Sequence, residues 1–257
     1  MTFADARERT FNPQSQGASA RDVSCCPTLC SSCKLFQLCA PCPLAGLDLD
    51  GADELISTHK RVRRGESLYR AGDAFGSLYA LHTGFLKSSV VLAHGKEQIT
   101  GFHMAGEMIG LDGIGTERYT LDTVALENSD VYVMPFACIE KAVTKAPLLQ
   151  RQFHRMMSRE MERGQGVMML LGTRRADARV AVFLLNLSTR FAARGYSALE
   201  FDLRMSRDDI GSYLGLTLET VSRAFSRFQH NRLLAVDRRH VRILDIDGLK
   251  HVMRRES

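Results

Sequence analysis

Six of the chain's seven cysteines crowd into residues 25–42: Cys25, Cys26, Cys30, Cys33, Cys39 and Cys42, in the run CCPTLCSSCKLFQLCAPC. From Cys26 the spacing is C-x3-C-x2-C-x5-C, and Cys42 follows after two more residues; Cys138 stands alone. Thiolates are soft ligands that select zinc or the iron of iron–sulfur clusters. Crowded thiols in a reducing compartment point to metal or redox chemistry rather than to structural disulfides. A Cys-x2-Cys pair brings two sulfurs to one centre. A cluster can then take three ligands from a tight loop and a fourth from a distant residue. The same sulfurs could close a tetrahedral zinc staple. Spacing alone leaves iron and zinc both open.

A second stretch carries chemistry of another kind. Residues 205–230, MSRDDIGSYLGLTLETVSRAFSRFQH, read as two short helices joined by a tight turn. Ser206 suits an N-cap, and Asp208 and Asp209 in the first turn suit the positive end of a helix dipole. Ile210 and Leu214 form one apolar face, Gly215 permits the break, and Thr217 caps the second helix. On that helix Val221, Phe225 and Phe228 fall on one side, and Glu219, Ser222, Arg223, Ser226 and Arg227 on the other. Helix, glycine-containing turn, helix is the layout of a helix-turn-helix, whose second helix enters the major groove of DNA. Arg223 suits guanine O6 and N7, Glu219 suits cytosine N4, and Ser222 can donate or accept.

These two stretches need elements to place them. With 257 residues, 45% of them hydrophobic, the chain can form two modest cores. No apolar run has membrane-spanning length, and no segment reads as a signal peptide, so a cytoplasmic protein without a membrane partner is expected. The formal net charge is +5, and residues 174–257 hold 16 Lys and Arg against 10 Asp and Glu. The basic surplus therefore sits with the helix-turn-helix, as a phosphate-bearing partner requires. No G-x-G-x-x-G loop or other nucleotide loop is present, and an enzyme is not expected.

In chain order, residues 1–24 read as a polar tail and 25–46 as the cysteine segment. Residues 47–146 form a third unit, in which 47–60 suggest a short helix and about 62–136 a glycine-punctuated β-roll of roughly eight short strands, with His94-Gly95-Lys96 at a hairpin tip. Residues 147–172 predict one long helix. Its stripe of Phe153, Met157, Met161, Gly164, Met168 and Leu171 approaches a coiled-coil seam and marks a homodimer interface. Gly164 and Gly166 weaken that helix by about 1 kcal/mol each relative to Ala. Residues 173–257 contain a lead-in helix ended by Gly195, the helix-turn-helix, then a basic two-stranded wing with Arg238, Arg239 and Arg242, and a closing turn. The eight histidines show no ligand spacing and read as surface or packing residues.

This order, and the stretches SLYALHTGFLKS, EQITGFHMAGEMIGLDGIG and LTLETVSRAFSRFQ, resemble the CRP/FNR superfamily of bacterial transcription regulators. The likeness is greatest to the oxygen-sensing, fumarate-and-nitrate-reduction branch. The resemblance implies an α+β fold: a cyclic-nucleotide-binding-like β-roll (jelly roll), a long dimerisation helix and a C-terminal winged helix-turn-helix. It implies that Glu219, Ser222 and Arg223, with Thr217, Ser226 and Arg227 beside them, read a TTGAT-N4-ATCAA-like palindrome in double-stranded DNA, and that RNA polymerase is a partner. It also implies an oxygen-labile [4Fe–4S] cluster on Cys30, Cys33 and Cys39, with a fourth cysteine from the roll. At that fourth position this chain has Tyr132, so the expected ligand becomes Cys138, with Cys42 or Cys26 as fallback. The sister branch that binds cyclic AMP has Gly-Glu-Leu and Arg-Ser in the roll. Here Gly110 is followed by Leu111-Asp112, and Tyr119-Thr120 occupy the Arg-Ser place beside Arg118, so no cyclic nucleotide is expected.

Overall fold

The computed structural model describes residues 58–254 apart from 94 and 174. The polar tail and Cys26, Cys30, Cys33, Cys39 and Cys42 lie outside the described residues. The described part begins with eight strands: β1 (Thr58–Val62), β2 (Ser67–Tyr69), β3 (Ser77–Thr83), β4 (Phe85–Val91), β5 (Glu97–Met104), β6 (Met108–Ile109), β7 (Asp122–Ala125) and β8 (Ser129–Pro135). They form two four-stranded antiparallel sheets, ordered β1-β8-β3-β6 and β2-β7-β4-β5. Alternation explains the arrangement, because successive side chains of a strand face opposite ways. Along β8, Val131 enters the core between the sheets with Leu81, Leu86 and Ile109. Its neighbours Tyr132 and Met134 face outward into a second core with Leu78, Ala80 and Ile139.

The expected helix over 47–60 is corrected where it is described. Thr58–Val62 is the edge strand β1, paired along β8 from Thr58↔Val133 to Val62↔Ser129. Thr58 and Val62 are β-branched, and the ladder outweighs the short leucine spacing that suggested a helix. The β4–β5 hairpin turns between Val91 and Glu97; His94 of the expected tip lies outside the described residues.

After the roll come α1 (Phe136–Lys145), α2 (Pro147–Thr173) and α3 (Ala176–Ala192). Helix α2 runs unbroken through Gly164 and Gly166; at 27 residues it is about 40 Å long. Its first turns bring Leu149 and Phe153 onto the outer face of the roll, and Leu170 near its end is buried in the C-terminal core. That core gathers Val180, Leu184 and Leu187 of α3 with the helix-turn-helix and the wing, and takes in Phe85, Ile99, Phe102 and Met104 from the roll.

The C-terminal part continues with β9 (Glu200–Asp202), α4 (Arg207–Leu214), α5 (Leu218–His230), β10 (Leu234–Asp237), β11 (His240–Ile243) and α6 (Ile246–Arg254). Two expectations are refined here. The wing is three-stranded, because β9 joins it in the order β10-β11-β9. The expected closing turn is the helix α6, which buries Leu249 completely.

Candidate functional site

The reading head is built by local rules. Ser206 Oγ accepts from Asp209 N at 3.0 Å, and Ser206 N donates to Asp209 Oδ2 at 2.8 Å, a reciprocal capping box that starts α4. Gly215 ends α4 in the left-handed region at φ 62°, where a side chain is disfavoured. Gly211 is needed for a different reason: a Cβ there would lie 2.7 Å from the carbonyl oxygen of Leu216. Thr217 Oγ1 then accepts from Thr220 N at 3.2 Å and starts α5.

Helix α5 buries Val221, Ala224, Phe225 and Phe228, and its outer side presents Glu219, Arg223, Ser226 and Arg227 to solvent, with Ser222 half-buried. Hydrogen bonds from its own backbone N–H and the Thr217 hydroxyl hold the Glu219 carboxyl below its usual range, so it is an ionised acceptor. Arg227 differs from Arg223. Its guanidinium is forked onto Asp177 at the start of α3, with Nε at 2.9 Å from Oδ2 and Nη2 also bonded to Oδ1. Ser226 Oγ donates to Ser222 O at 3.1 Å. Of the wing arginines, all three are exposed, and Arg239 donates to Arg204 O at 3.2 Å.

Polar contacts seat this head on the roll. Lys87 of β4 donates to Asp209 Oδ1 at 3.0 Å, the same carboxylate that closes the capping box. Ile99 N donates to Ser212 Oγ at 2.9 Å, Ser212 Oγ donates to Glu97 O at 3.0 Å, and Gln98 bonds to Ser212 O. Tyr213 packs against Phe102 and Phe183, with ring centroids 5.1 and 5.9 Å away.

Next to this seat lies a group that sequence reasoning missed. Glu107, 8% exposed, receives Arg190 Nη2 of α3 at 2.8 Å and Arg194 Nη2, from the turn just after that helix, at 2.6 Å. Arg163 of α2 stands 3.5 Å away. Arg190 Nη2 also donates to Phe102 O at 2.7 Å, and Arg194 Nε to Ala105 O at 2.6 Å. Burial alone would push the carboxyl up, but the three guanidiniums bring it down to about 2. One carboxylate thus ties the roll, the long helix and the DNA-binding part together.

On α2, Phe153 and Met157 are half-buried, Phe153 against the roll. Met161 and Met168 are 65% and 67% exposed, Gly164 is exposed, and Leu171 is half-buried. The stripe therefore leaves the roll as it proceeds and turns two methionines outward. Between roll and helix is a cleft of about 310 Å³ lined by, among others, Tyr69, His103, Asp112, Glu160 and Met161. Asp112 Oδ2 accepts from the backbone N–H groups of Thr120 and Leu121 at 2.8 and 3.1 Å. His103 Nε2 meets Ser88 Oγ at 2.8 Å, and burial lowers its pKa to about 4, so it is a neutral imidazole. Arg118 is turned elsewhere, donating to Gly72 O at 2.7 Å.

Of the expected metal ligands, Cys138 alone is among the described residues. It is half-buried on α1 and packs on the outer face of the roll. Among the described residues no three His, Cys, Asp or Glu side chains come together as a metal site. Tyr132 is 4% exposed on that same face. Two histidines flank it: His59, its direct partner across the β1–β8 ladder, with ring centroids 4.2 Å apart, and His82 of β3 at 4.9 Å. His82 Nδ1 is buried and has no hydrogen-bond partner.

Comparison with known proteins places this geometry. Residues 178–252 match the Crp-like helix-turn-helix domain, and residues 59–145 match the cyclic nucleotide-binding domain. The chain is 46% identical to the transcriptional regulatory protein btr of Bordetella pertussis over 89% of this chain and 94% of that one. It is 43% identical to the fumarate and nitrate reduction regulatory protein of Salmonella typhimurium over 87% of this chain and 90% of that one. Among solved structures, FixK2 from Bradyrhizobium japonicum superposes with a TM-score of 0.73 at 31% identity, covering 79% of this chain and all of that one.

Proposed function

Because the chain belongs to the CRP/FNR family of DNA-binding transcription regulators, on its FNR branch, we propose that it controls anaerobic gene expression in the cytoplasm as an oxygen-responsive homodimer. The observation that carries the DNA half is the capped helix α5, which offers ionised Glu219 and exposed Arg223 at its N-terminal end, with Ser222 between them on the same side. Residues at that end of a recognition helix meet base edges. Glu219, Ser222 and Arg223 read each half of a TTGAT-N4-ATCAA-like palindrome; Thr217, Ser226 and Arg227 border the contact. Two copies pair through the α2 stripe of Phe153, Met157, Met161, Gly164, Met168 and Leu171. Pairing makes binding to the second half-site intramolecular and raises affinity without a new contact. RNA polymerase is the downstream partner.

The sensing half rests on the cysteine segment. Cys30, Cys33 and Cys39 supply three of the four ligands of a [4Fe–4S] cluster, and the fourth comes from elsewhere in the chain, with Cys138, Cys42 and Cys26 as the thiol sources. The cluster, when bound, would supply the oxygen-labile group. The protein's part is to convert its presence into α2 pairing, since Phe153 at the start of α2 packs on the same outer face of the roll as Cys138 and Tyr132. The cleft lining offers Asp112 and Glu160 and no Lys or Arg, which opposes a cyclic phosphate. A second reading is favoured by one observation, the buried Tyr132 at the place of the family's roll cysteine: a zinc-stapled N-terminus responding to another signal.

The deciding experiment purifies full-length protein under argon and measures iron, sulfide, zinc and operator affinity before and after exposure to air. Iron with sulfide and air-sensitive binding are expected. Zinc, or equal affinity in both gases, would overturn oxygen sensing and leave the DNA reading standing.

A further inference from the structure

A line of arginines leads from the DNA-binding part onto the edge of the roll. Arg204 stands exposed just before the N-cap of α4. Its carbonyl oxygen accepts from Arg239 Nη1 of the wing at 3.2 Å, and its Nε lies 3.1 Å from Glu127 Oε2. Glu127 belongs to the turn between β7 and β8. The next residue, Asn128, accepts from Arg64 N at 3.1 Å through Oδ1. Arg63 and Arg64 open the turn between β1 and β2. That turn is fastened to the end of β7, because Gly65 N donates to Ala125 O at 2.8 Å and Ala125 N to Glu66 O at 3.0 Å. The backbone is thus fixed while Arg63 and Arg64 stand in solvent. The acids of this surface are already engaged: Glu127 by Arg204, Asp130 by Arg61 at 3.3 Å, and Glu66 by the Arg63 backbone N–H at 2.9 Å. Arg63 and Arg64 have no ion-pair partner among the described residues.

We propose that Arg63 and Arg64 extend the DNA interface onto the roll, holding the phosphate backbone of the duplex just outside the operator. The inference rests on the palindrome reading above. In a helix-turn-helix the first helix crosses the DNA backbone. Arg204 and the wing therefore lie beside phosphates, and the line of arginines leads on from there. The short spacer between half-sites is taken up by the two reading heads, so the phosphates left for each protomer lie beyond the palindrome. The partner is duplex DNA of any sequence, since phosphate contacts position a protein without reading bases. Arginine suits the task, because its planar fork matches phosphate oxygens bidentately. Each phosphate neutralised in this way also releases condensed counterions, which makes the contact visible in salt dependence.

The test measures binding of the full-length protein, purified under argon, to two duplexes that share the palindrome, over a series of salt concentrations. One duplex ends within about three base pairs of the palindrome, and the other continues for about 20 base pairs on each side, presenting further phosphates. The longer duplex should bind more tightly. With two contacts from each protomer, the plot of log affinity against log salt should be steeper for it by up to about 4. Arg63→Gln with Arg64→Gln should erase the difference between the duplexes and leave affinity for the short one within about twofold. Lys141→Gln with Lys145→Gln removes the same charge from exposed positions on α1 and should keep the difference. Urea midpoints equal to the wild type's confirm that both variants fold. Equal affinity and slope of the wild type on the two duplexes overturns the proposal. So does a difference that survives in the arginine variant, or one that the lysine variant loses as fully. A short duplex bound no better than a scrambled one refutes the palindrome reading instead. The slopes of wild type and arginine variant on the long duplex then decide this inference by themselves.

Discussion

Glu107→Gln tests whether one buried carboxylate fastens the DNA-binding part to the roll. The substitution keeps the shape and removes the charge, leaving Arg163, Arg190 and Arg194 facing one another. Two estimates of the cost agree. The carboxyl lies at about 2 against an ordinary 4.5; at about 1.4 kcal/mol per unit, that is roughly 3 kcal/mol of stability at neutral pH. Removing one partner from a buried ion pair costs about 3–5 kcal/mol, because the remaining charge stays uncompensated. A depressed carboxylate contributes fully above its unfolded pKa, and the contribution disappears as pH falls from 4.5 through about 2. Urea unfolding followed by circular dichroism should therefore show the variant weaker by about 3 kcal/mol at pH 7. The gap should narrow below pH 4.5 and close near pH 2, where the wild-type carboxyl is itself protonated. Neutral His103 contributes a separate acid limb: its pKa is depressed from 6.5 to about 4 by burial, so stability is lost as pH falls through that window. That limb is present in both proteins, but the Glu107 charge opposes the depression of His103, so in the variant the limb lies at lower pH. A gap under about 1 kcal/mol at pH 7, or one independent of pH, would refute the idea that the three arginines are held by this charge.

Other outcomes follow from the reading head and the helix. Arg223→Ala should weaken operator binding by about 1–3 kcal/mol and relax preference at one base pair, whereas Arg227→Ala, whose fork is already engaged by Asp177, should leave base preference unchanged; binding to a panel of mutated half-sites separates the two. Gly211→Ala drives a Cβ to within 2.7 Å of a backbone oxygen that cannot retreat without opening the turn, so a loss of about 1–3 kcal/mol in thermal or urea stability is expected, with operator affinity falling alongside it. Met161→Glu with Met168→Glu places like charges on the exposed stripe, and analytical ultracentrifugation should find monomers under conditions where the wild type pairs.

Much of the reading head was legible in sequence because its signals are local. Ser206 and Asp209 are three residues apart, Gly215 sits at the break, and Thr217 caps the next helix; no distant residue is needed to recognise them. The strands of the roll announced themselves through alternation and glycine spacing. What escaped notice depends on pairing between distant segments. Glu107 and Arg190 are 83 residues apart, and nothing near either names the other. His59 and His82 carry no ligand spacing along the chain. They share a face only once β8 is known to lie between β1 and β3. The expected helix over 47–60 fails at its described end, residues 58–60, because edge-strand pairing at Thr58–Val62 is set by the distant β8 and not by local spacing.

The single helix α2 touches each of these parts. At its start, Phe153 packs on the outer face that holds Tyr132 and Cys138. In its middle, Arg163 reaches Glu107 and, at 2.9 Å, Glu160. Near its end, Leu170 is buried with the helix-turn-helix core. Met161 and Met168 project from it into solvent. A partner helix seated on those methionines would bear on the same backbone that carries Arg163, so pairing and the seating of the DNA-binding part are mechanically joined. Gly164 and Gly166 lie just after Arg163, where they lower the cost of bending. Under the proposed reading, a sensing centre held by the cysteine segment would need only to favour one setting of the first turns of α2 for the Glu107 contacts and the exposed stripe to change together.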